Sequence, residues 1–123
     1  RMGIVSALFG GKKVFPVHLT DATFEQEVLR SELPVIVDFW SPGCVPCKKL
    51  EDIIFSLAKD YAGRVKIAEM NVAEAPKTAG RCRVAATPTV LYFKDGKPVE
   101  RVVGVKGSLY HRQTIEEVFG ITP

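Results

Sequence analysis

Apolar and polar positions alternate in blocks along this chain, and the period of each block predicts the element it forms. Val14–Leu19 is a short β-prone run. Thr20-Asp21-Ala22-Thr23 offers helix start signals, with Thr23 and Gln26 spaced as a capping box. Phe24, Val28 and Leu29 would be the buried face of that helix. Val35-Ile36-Val37-Asp38-Phe39-Trp40 is apolar on both faces, as expected of a central strand covered from both sides, and Asp38 is the anomaly inside it. Ser41-Pro42-Gly43 breaks the strand. From about Cys44 a helix follows, marked by Leu50, Ile53, Ile54, Leu57, Ala58 and Tyr61 at three- and four-residue spacing. Val65–Val72 predicts a further strand and Ala75–Cys82 a short helix or turn. Thr89–Phe93 and Val99–Val105 predict a hairpin turned by Asp95-Gly96, and Ile115, Val118 and Phe119 mark a terminal helix. Strands alternating with helices and ending in a hairpin imply an α/β fold, with a mixed sheet and helices on both faces.

Length and composition narrow the class. At 123 residues, with 46% hydrophobic and 25% charged residues, the chain fits one domain with a sizeable core. Three cysteines are too few for a disulfide framework, and a domain of this size does not need one. The net charge of +3 comes from Arg1, Lys12 and Lys13. Without them the 17 basic residues fall to 14, the number of acidic ones, so no electrostatic footprint for nucleic acid remains. Residues 1–13 read as an N-terminal extension or a trimmed remnant, and 14–123 as the domain. No apolar run has the roughly 18 residues of a membrane helix. The lysines follow Met2–Phe9 instead of preceding it, unlike a signal peptide. The expected compartment is the cytoplasm, with a periplasmic or secreted location as the alternative if an upstream signal was removed.

The chemistry concentrates at Cys44-Val45-Pro46-Cys47, where the buried strand ends and a helix begins. Residues three apart on a helix are neighbours, close enough for a disulfide. Pro46 suits the first turn, where its missing N–H costs nothing. The unpaired N–H groups and the dipole at that end favour a thiolate, the species that attacks a disulfide. Cys44, nearer the helix end, is the expected nucleophile, and Cys47, one turn in, the shielded resolving thiol. Lys48 adds positive charge nearby or is simply solvated. A zinc site would need two further ligands from Cys82, His18 and His111, and no second C-x-x-C or H-x₃-H pattern exists. A pair of inert buried cysteines is the other alternative.

Around these residues the sequence resembles the thioredoxin family, over roughly Val14 to Phe119. Val37-Asp38-Phe39-Trp40-Ser41-Pro42-Gly43-Cys44-Val45-Pro46-Cys47-Lys48 is similar to that family's strand and active-site motif. Thr87-Pro88-Thr89 is similar to its cis-proline loop, Phe93-Lys94-Asp95-Gly96 to its hairpin, and Gly104 to its glycine near the active site. The resemblance implies a thioredoxin fold, with a mixed central sheet of four to five strands flanked by helices on both faces. It implies Cys44 as attacking thiol, Cys47 as resolving thiol and Pro88 in cis beside them. The loop carrying Thr87 and Pro88 would hold an extended substrate segment as an added strand does. Asp38 would lie behind Cys47 and assist its deprotonation, or else serve as a hydrogen-bonded structural acid. Trp40, Gly43, Val45, Pro46 and Gly104 would shape the site.

The departures from the family pattern are specific. Gly43 stands where a Trp is usual, which should open the site, and Val45 replaces a Gly between the cysteines. Asp52 stands at the position of a helix-kinking proline. Glu69 stands where a lysine usually partners the buried aspartate; facing Asp38, it would raise one carboxyl pKa. Cys82 reads as an unremarkable small residue, with a regulatory thiol as the minority reading. The implied function is reduction of protein disulfides by a dithiol–disulfide couple, recharged by a thioredoxin-reductase-type donor, with the chain acting as a monomer. No cofactor, metal, nucleic acid or membrane is expected. The alternatives are a disulfide oxidase or isomerase in an oxidising compartment, and a redox-dependent protein-binding module.

Overall fold

A computed structural model describes residues 13–123. The expected extension over residues 1–13 lies, apart from Lys13, outside the described residues. Five strands, β1 (Val17–Leu19), β2 (Val35–Trp40), β3 (Lys66–Asn71), β4 (Thr89–Lys94) and β5 (Lys97–Val103), form one sheet in the order β1-β3-β2-β4-β5. β3 runs parallel to both β1 and β2, while β4 is antiparallel to β2 and to β5. Three α-helices accompany them: α1 (Val45–Asp60), α2 (Pro76–Arg81) and α3 (Ser108–Phe119). This is the mixed sheet that the block pattern predicts, with β2 at its centre.

Because strand side chains alternate, β2 feeds two cores. Ile36 joins Leu50, Ile54 and Leu57 of α1, Tyr61 at its C-cap, Ile67 of β3, Tyr92 of β4, and Ile115 and Phe119 of α3. Val35, Val37 and Phe39 join Leu19, Phe24, Val28, Ala68, Met70, Leu91 and Phe93 on the opposite face. The predicted helical stripe of α1 is buried apart from Ile53, which packs at the edge of the first core. Arg112 of α3 clasps α1, donating to Ser56 Oγ at 3.0 Å and to Asp60 Oδ2 at 2.9 Å.

Three local expectations change. β1 begins at Val17, so Val14, Phe15 and Pro16 lead into it without ladder bonds. The segment after it is capped one turn earlier than the Thr23/Gln26 box. Thr20 and Thr23 bond reciprocally instead, the amide of Thr20 donating to Thr23 Oγ1 at 2.9 Å and the amide of Thr23 to Thr20 Oγ1 at 3.3 Å. Glu25–Leu29 then winds as a π-helix, its end marked by the Arg30 amide donating to the Glu25 carbonyl at 2.9 Å. Phe24 and Val28 remain buried on it as predicted.

The Asp95-Gly96 turn has positive φ at both residues, 52° and 76°, which suits a two-residue hairpin loop. Gly96 has a second reason to lack a side chain: a Cβ there would stand 2.6 Å from the Leu29 carbonyl oxygen.

Candidate active site

The buried β2 delivers the chain to the start of α1, where Cys44 is the N-cap with φ −87° and ψ 107°. The amide of Cys47 donates to Cys44 Sγ at 3.1 Å. This is the usual capping geometry, in which the N-cap side chain accepts from the third helical residue, with sulfur in place of oxygen. Pro46 lies in the first turn, where no intrahelical donor is lost. Cys44 and Cys47 are disulfide-bonded, their Cα atoms 5.2 Å apart. Their surroundings differ: Cys44 is half-buried, whereas Cys47 is 6% exposed. In the reduced state the Cys47 amide and the helix N-terminus favour a negative charge on Cys44.

The Thr87–Pro88 bond is cis, as the resemblance implies. It brings the Thr87 carbonyl oxygen to 3.6 Å from Cys44 Sγ. Three bonds tie this loop down. Ser41 and Thr87 share a hydroxyl–hydroxyl bond of 2.6 Å, Thr89 Oγ1 donates to the Ala86 carbonyl at 2.6 Å, and the Gly104 amide donates to the Pro88 carbonyl at 2.9 Å. Gly104 has φ +89°, a conformation that favours glycine. Thus Thr87 stands beside Cys44, and Gly104 is bonded to Pro88, which follows Thr87. Val45 is exposed beside the disulfide, and Val103 and Val105 are exposed on either side of Gly104, leaving apolar surface around the reactive sulfurs.

Behind the disulfide lies a pocket of about 360 Å³, lined by Trp40, Pro42, Gly43 and both cysteines, with Asp38, Glu51 and Glu69 among its walls. At Gly43 a Cβ would meet nothing within 4 Å, so there is free space on this side of the pocket. Phe15 and Phe55, packed edge to face at 5.9 Å, also border the pocket.

Asp38 is 5% exposed, and its Oδ1 has no hydrogen-bond partner among the described residues. Burial first, then the carboxylates of Glu69 and Glu51, push its pKa up from 3.8 to about 7. Glu69 is its in-register neighbour on β3, the placement that its alignment with the family's lysine implies. Glu69 is itself held: Trp40 Nε1 donates to its Oε1 at 2.6 Å, and His18 Nδ1 lies 2.7 Å from its Oε2.

A sequence profile of the thioredoxin family matches residues 15–117. The chain belongs to the thioredoxin family. It is 39% identical over 100 residues to thioredoxin 1 of Nostoc sp., covering 81% of this chain and 94% of that one. To thioredoxin 1 of Synechococcus elongatus it is 44% identical over 86 residues, 70% of this chain and 80% of the relative. To the chloroplastic M-type thioredoxin of Pisum sativum it is 43% identical over 86 residues, 70% of this chain and 50% of the relative. Membership and the Cys44–Cys47 pair together make the protein a thiol–disulfide oxidoreductase that reduces protein disulfides. Its substrates are disulfide-containing proteins, and a reductase supplies its electrons. Neither the oxidase or isomerase reading nor the binding-module reading is favoured by these thioredoxin relatives. Among the described residues no group of three or more His, Cys, Asp or Glu side chains could hold a metal, and no helix is long and apolar enough to cross a membrane.

Within the thioredoxin site, Asp38, Trp40, Gly43, Cys44 and Cys47 share the pocket, while Thr87, Pro88 and Gly104 lie outside its lining, Thr87 beside Cys44. Cys82 is half-buried, and burial raises its pKa. It lines a different hollow, with Arg101 donating to its carbonyl. Sequence reasoning missed Ser41, Glu51 and His18. Glu51 had a legible signal, since it lies four residues beyond Cys47 on the same helical face. Ser41 and His18 had none: one contact spans 46 residues and the other 51.

Proposed function

We propose that this thioredoxin-family protein reduces substrates with Cys44 as the attacking thiol and Cys47 as the resolving thiol. The observation that carries the assignment is the asymmetry of the pair: Cys44 accepts the Cys47 amide at a half-exposed helix cap, whereas Cys47 is buried beside Asp38. The Cys44 thiolate attacks one sulfur of a substrate disulfide, forming a mixed disulfide and releasing the other sulfur as a thiolate. Cys47 passes its proton to the ionised Asp38 carboxylate and attacks Cys44 Sγ. The Cys44–Cys47 disulfide forms, and the second substrate sulfur leaves reduced. Two electrons have moved to the substrate, and a thioredoxin-reductase-type donor returns them.

The cis-proline loop supports main-chain docking of an extended substrate segment, because Thr87 stands at the open side of Cys44 just ahead of β4. Val45, Pro46 and Gly104 shape the apolar rim on which that segment rests. Residues 14–123 act as the working domain, as a monomer, in the reducing environment of the cytoplasm. Cys47→Ser should accumulate mixed disulfides with oxidised substrate proteins, and Cys44→Ser should not. Equal trapping by both variants would overturn the assignment.

A further inference from the structure

We propose that His18 is a positioning residue for this reaction: by pairing with Glu69 across the β1–β3 ladder, it sets the proton affinity of Asp38. The inference rests on the reading of Asp38 as proton acceptor, and its direct test does not.

Three strands place three ionisable side chains in one row. His18 is in register with Glu69, and Glu69 with Asp38. In-register neighbours point to the same face, so the row lies on the side covered by α1. Glu69 connects the two ends. Its Oε2 meets His18 Nδ1 at 2.7 Å, while its Oε1 accepts from Trp40 Nε1 at 2.6 Å. Both oxygens are engaged by other partners and Asp38 Oδ1 has none among the described residues, so Glu69 acts on Asp38 through its negative charge.

Removing that field, or offsetting it, changes how readily Asp38 ionises. The charged groups around the row are few. Asp38 faces Glu69 from β3, and Glu51 and Lys48 of α1 line the same pocket, while its β4 neighbour, Val90, is uncharged. His18 faces Glu69 and, at 3.3 Å from its Nε2, Glu74. Protonated His18 is therefore the cation nearest Glu69 in the row, and bonding to Glu69 first and Glu74 second raises its pKa above 6.5. His18 and Asp38 are thus coupled through Glu69, which neighbours both in the ladder. As His18 loses its proton, Glu69 is left uncompensated and Asp38 holds its own proton more tightly.

The test follows the Asp38 carboxyl directly by carbon NMR in the oxidised protein across pH 5 to 9. His18→Gln should move its midpoint up by about half a pH unit, the size of a screened charge at this range. His18→Lys, which keeps a cation, should restore it. Glu69→Gln keeps the acceptor for Trp40 and should move the midpoint down, and adding His18→Gln to it should shift the midpoint less than in the parent, because without Glu69 the imidazole is no longer held in the row. Glu74→Gln should leave Asp38 in place. An unmoved midpoint in His18→Gln, or an equal shift with and without Glu69, overturns the proposal. Resolution rates on the same variants separate the two readings. A midpoint that moves while the rate profile stays fixed supports the coupling and removes Asp38 from the reaction.

Discussion

Asp38 and Glu69 stand side by side in the parallel ladder of β2 and β3, two carboxylates on the sheet face that α1 covers. A lysine at the β3 position would give Asp38 a cation. Glutamate does the reverse, and burial acts in the same direction, so Asp38 holds its proton up to about pH 7. A group poised there at neutral pH is suited to exchanging a proton with a thiol.

The kinetic consequence is a pH profile. The rate at which Cys47 resolves a mixed disulfide should rise as Asp38 ionises, with a midpoint near pH 7. Asp38→Asn should flatten the rise and slow resolution roughly tenfold or more, toward the lower end of what a general base contributes. Stopped-flow release of substrate from a preformed Cys44 mixed disulfide checks this. A normal rate with a normal profile in Asp38→Asn would leave Asp38 a structural acid only.

Gly43 carries two properties that substitution separates. The space beside it is free, yet its φ is +73°. Restoring a Trp there therefore does more than add a lid. Gly43→Ala should cost about 1 kcal/mol from backbone conformation alone. Gly43→Trp should carry that same cost and also slow reaction with protein disulfides by narrowing the pocket. Comparing melting curves and rates of the two variants isolates each effect. If Gly43→Ala is as stable as the parent, the loop relaxes to negative φ and the strain argument fails.

Much of this site is legible in the sequence. The apolar run of β2 and its break at Ser41-Pro42-Gly43 locate the end of a central strand. Pro46 then locates the first helical turn, so the functional asymmetry of Cys44 and Cys47 follows from local rules. Asp38 stood out because a charge in such a run demands a reason. What escaped was register. Nothing local says that His18, in a three-residue strand, lies opposite Glu69, because parallel pairing joins distant segments. The positive φ of Gly43 was equally hidden, since a glycine is compatible with either sign. The Thr20/Thr23 pairing is not separable in sequence from the overlapping Thr23/Gln26 box, since both offer a hydroxyl at the required spacing.

Asp38 and His111 should oppose each other in the pH dependence of stability. Asp38 has a raised pKa in the fold, from 3.8 to about 7. Between those values the native state holds a proton that the unfolded chain has released, so stability falls as pH rises. His111 is fully buried, with its Nδ1 2.5 Å from Tyr92 Oη and its Nε2 without a partner among the described residues. Burial lowers its pKa from 6.5 to about 4. Between those values the unfolded chain binds a proton that the native state excludes, so stability rises with pH. Each full effect is on the order of 3–4 kcal/mol, and over pH 4 to 6.5 they nearly cancel. The parent protein should therefore show a flat profile there. Asp38→Asn should expose the His111 slope, gaining stability steadily from pH 4 to 6.5, and should exceed the parent by roughly 1–3 kcal/mol at pH 7, the cost of a buried amide taking the rest. His111→Gln keeps an acceptor for Tyr92 and should show the opposite slope, losing stability up to pH 7. Urea unfolding of the three proteins at half-unit steps of pH measures all of this. Parallel curves separated by a constant offset would mean that neither group changes its proton affinity on folding.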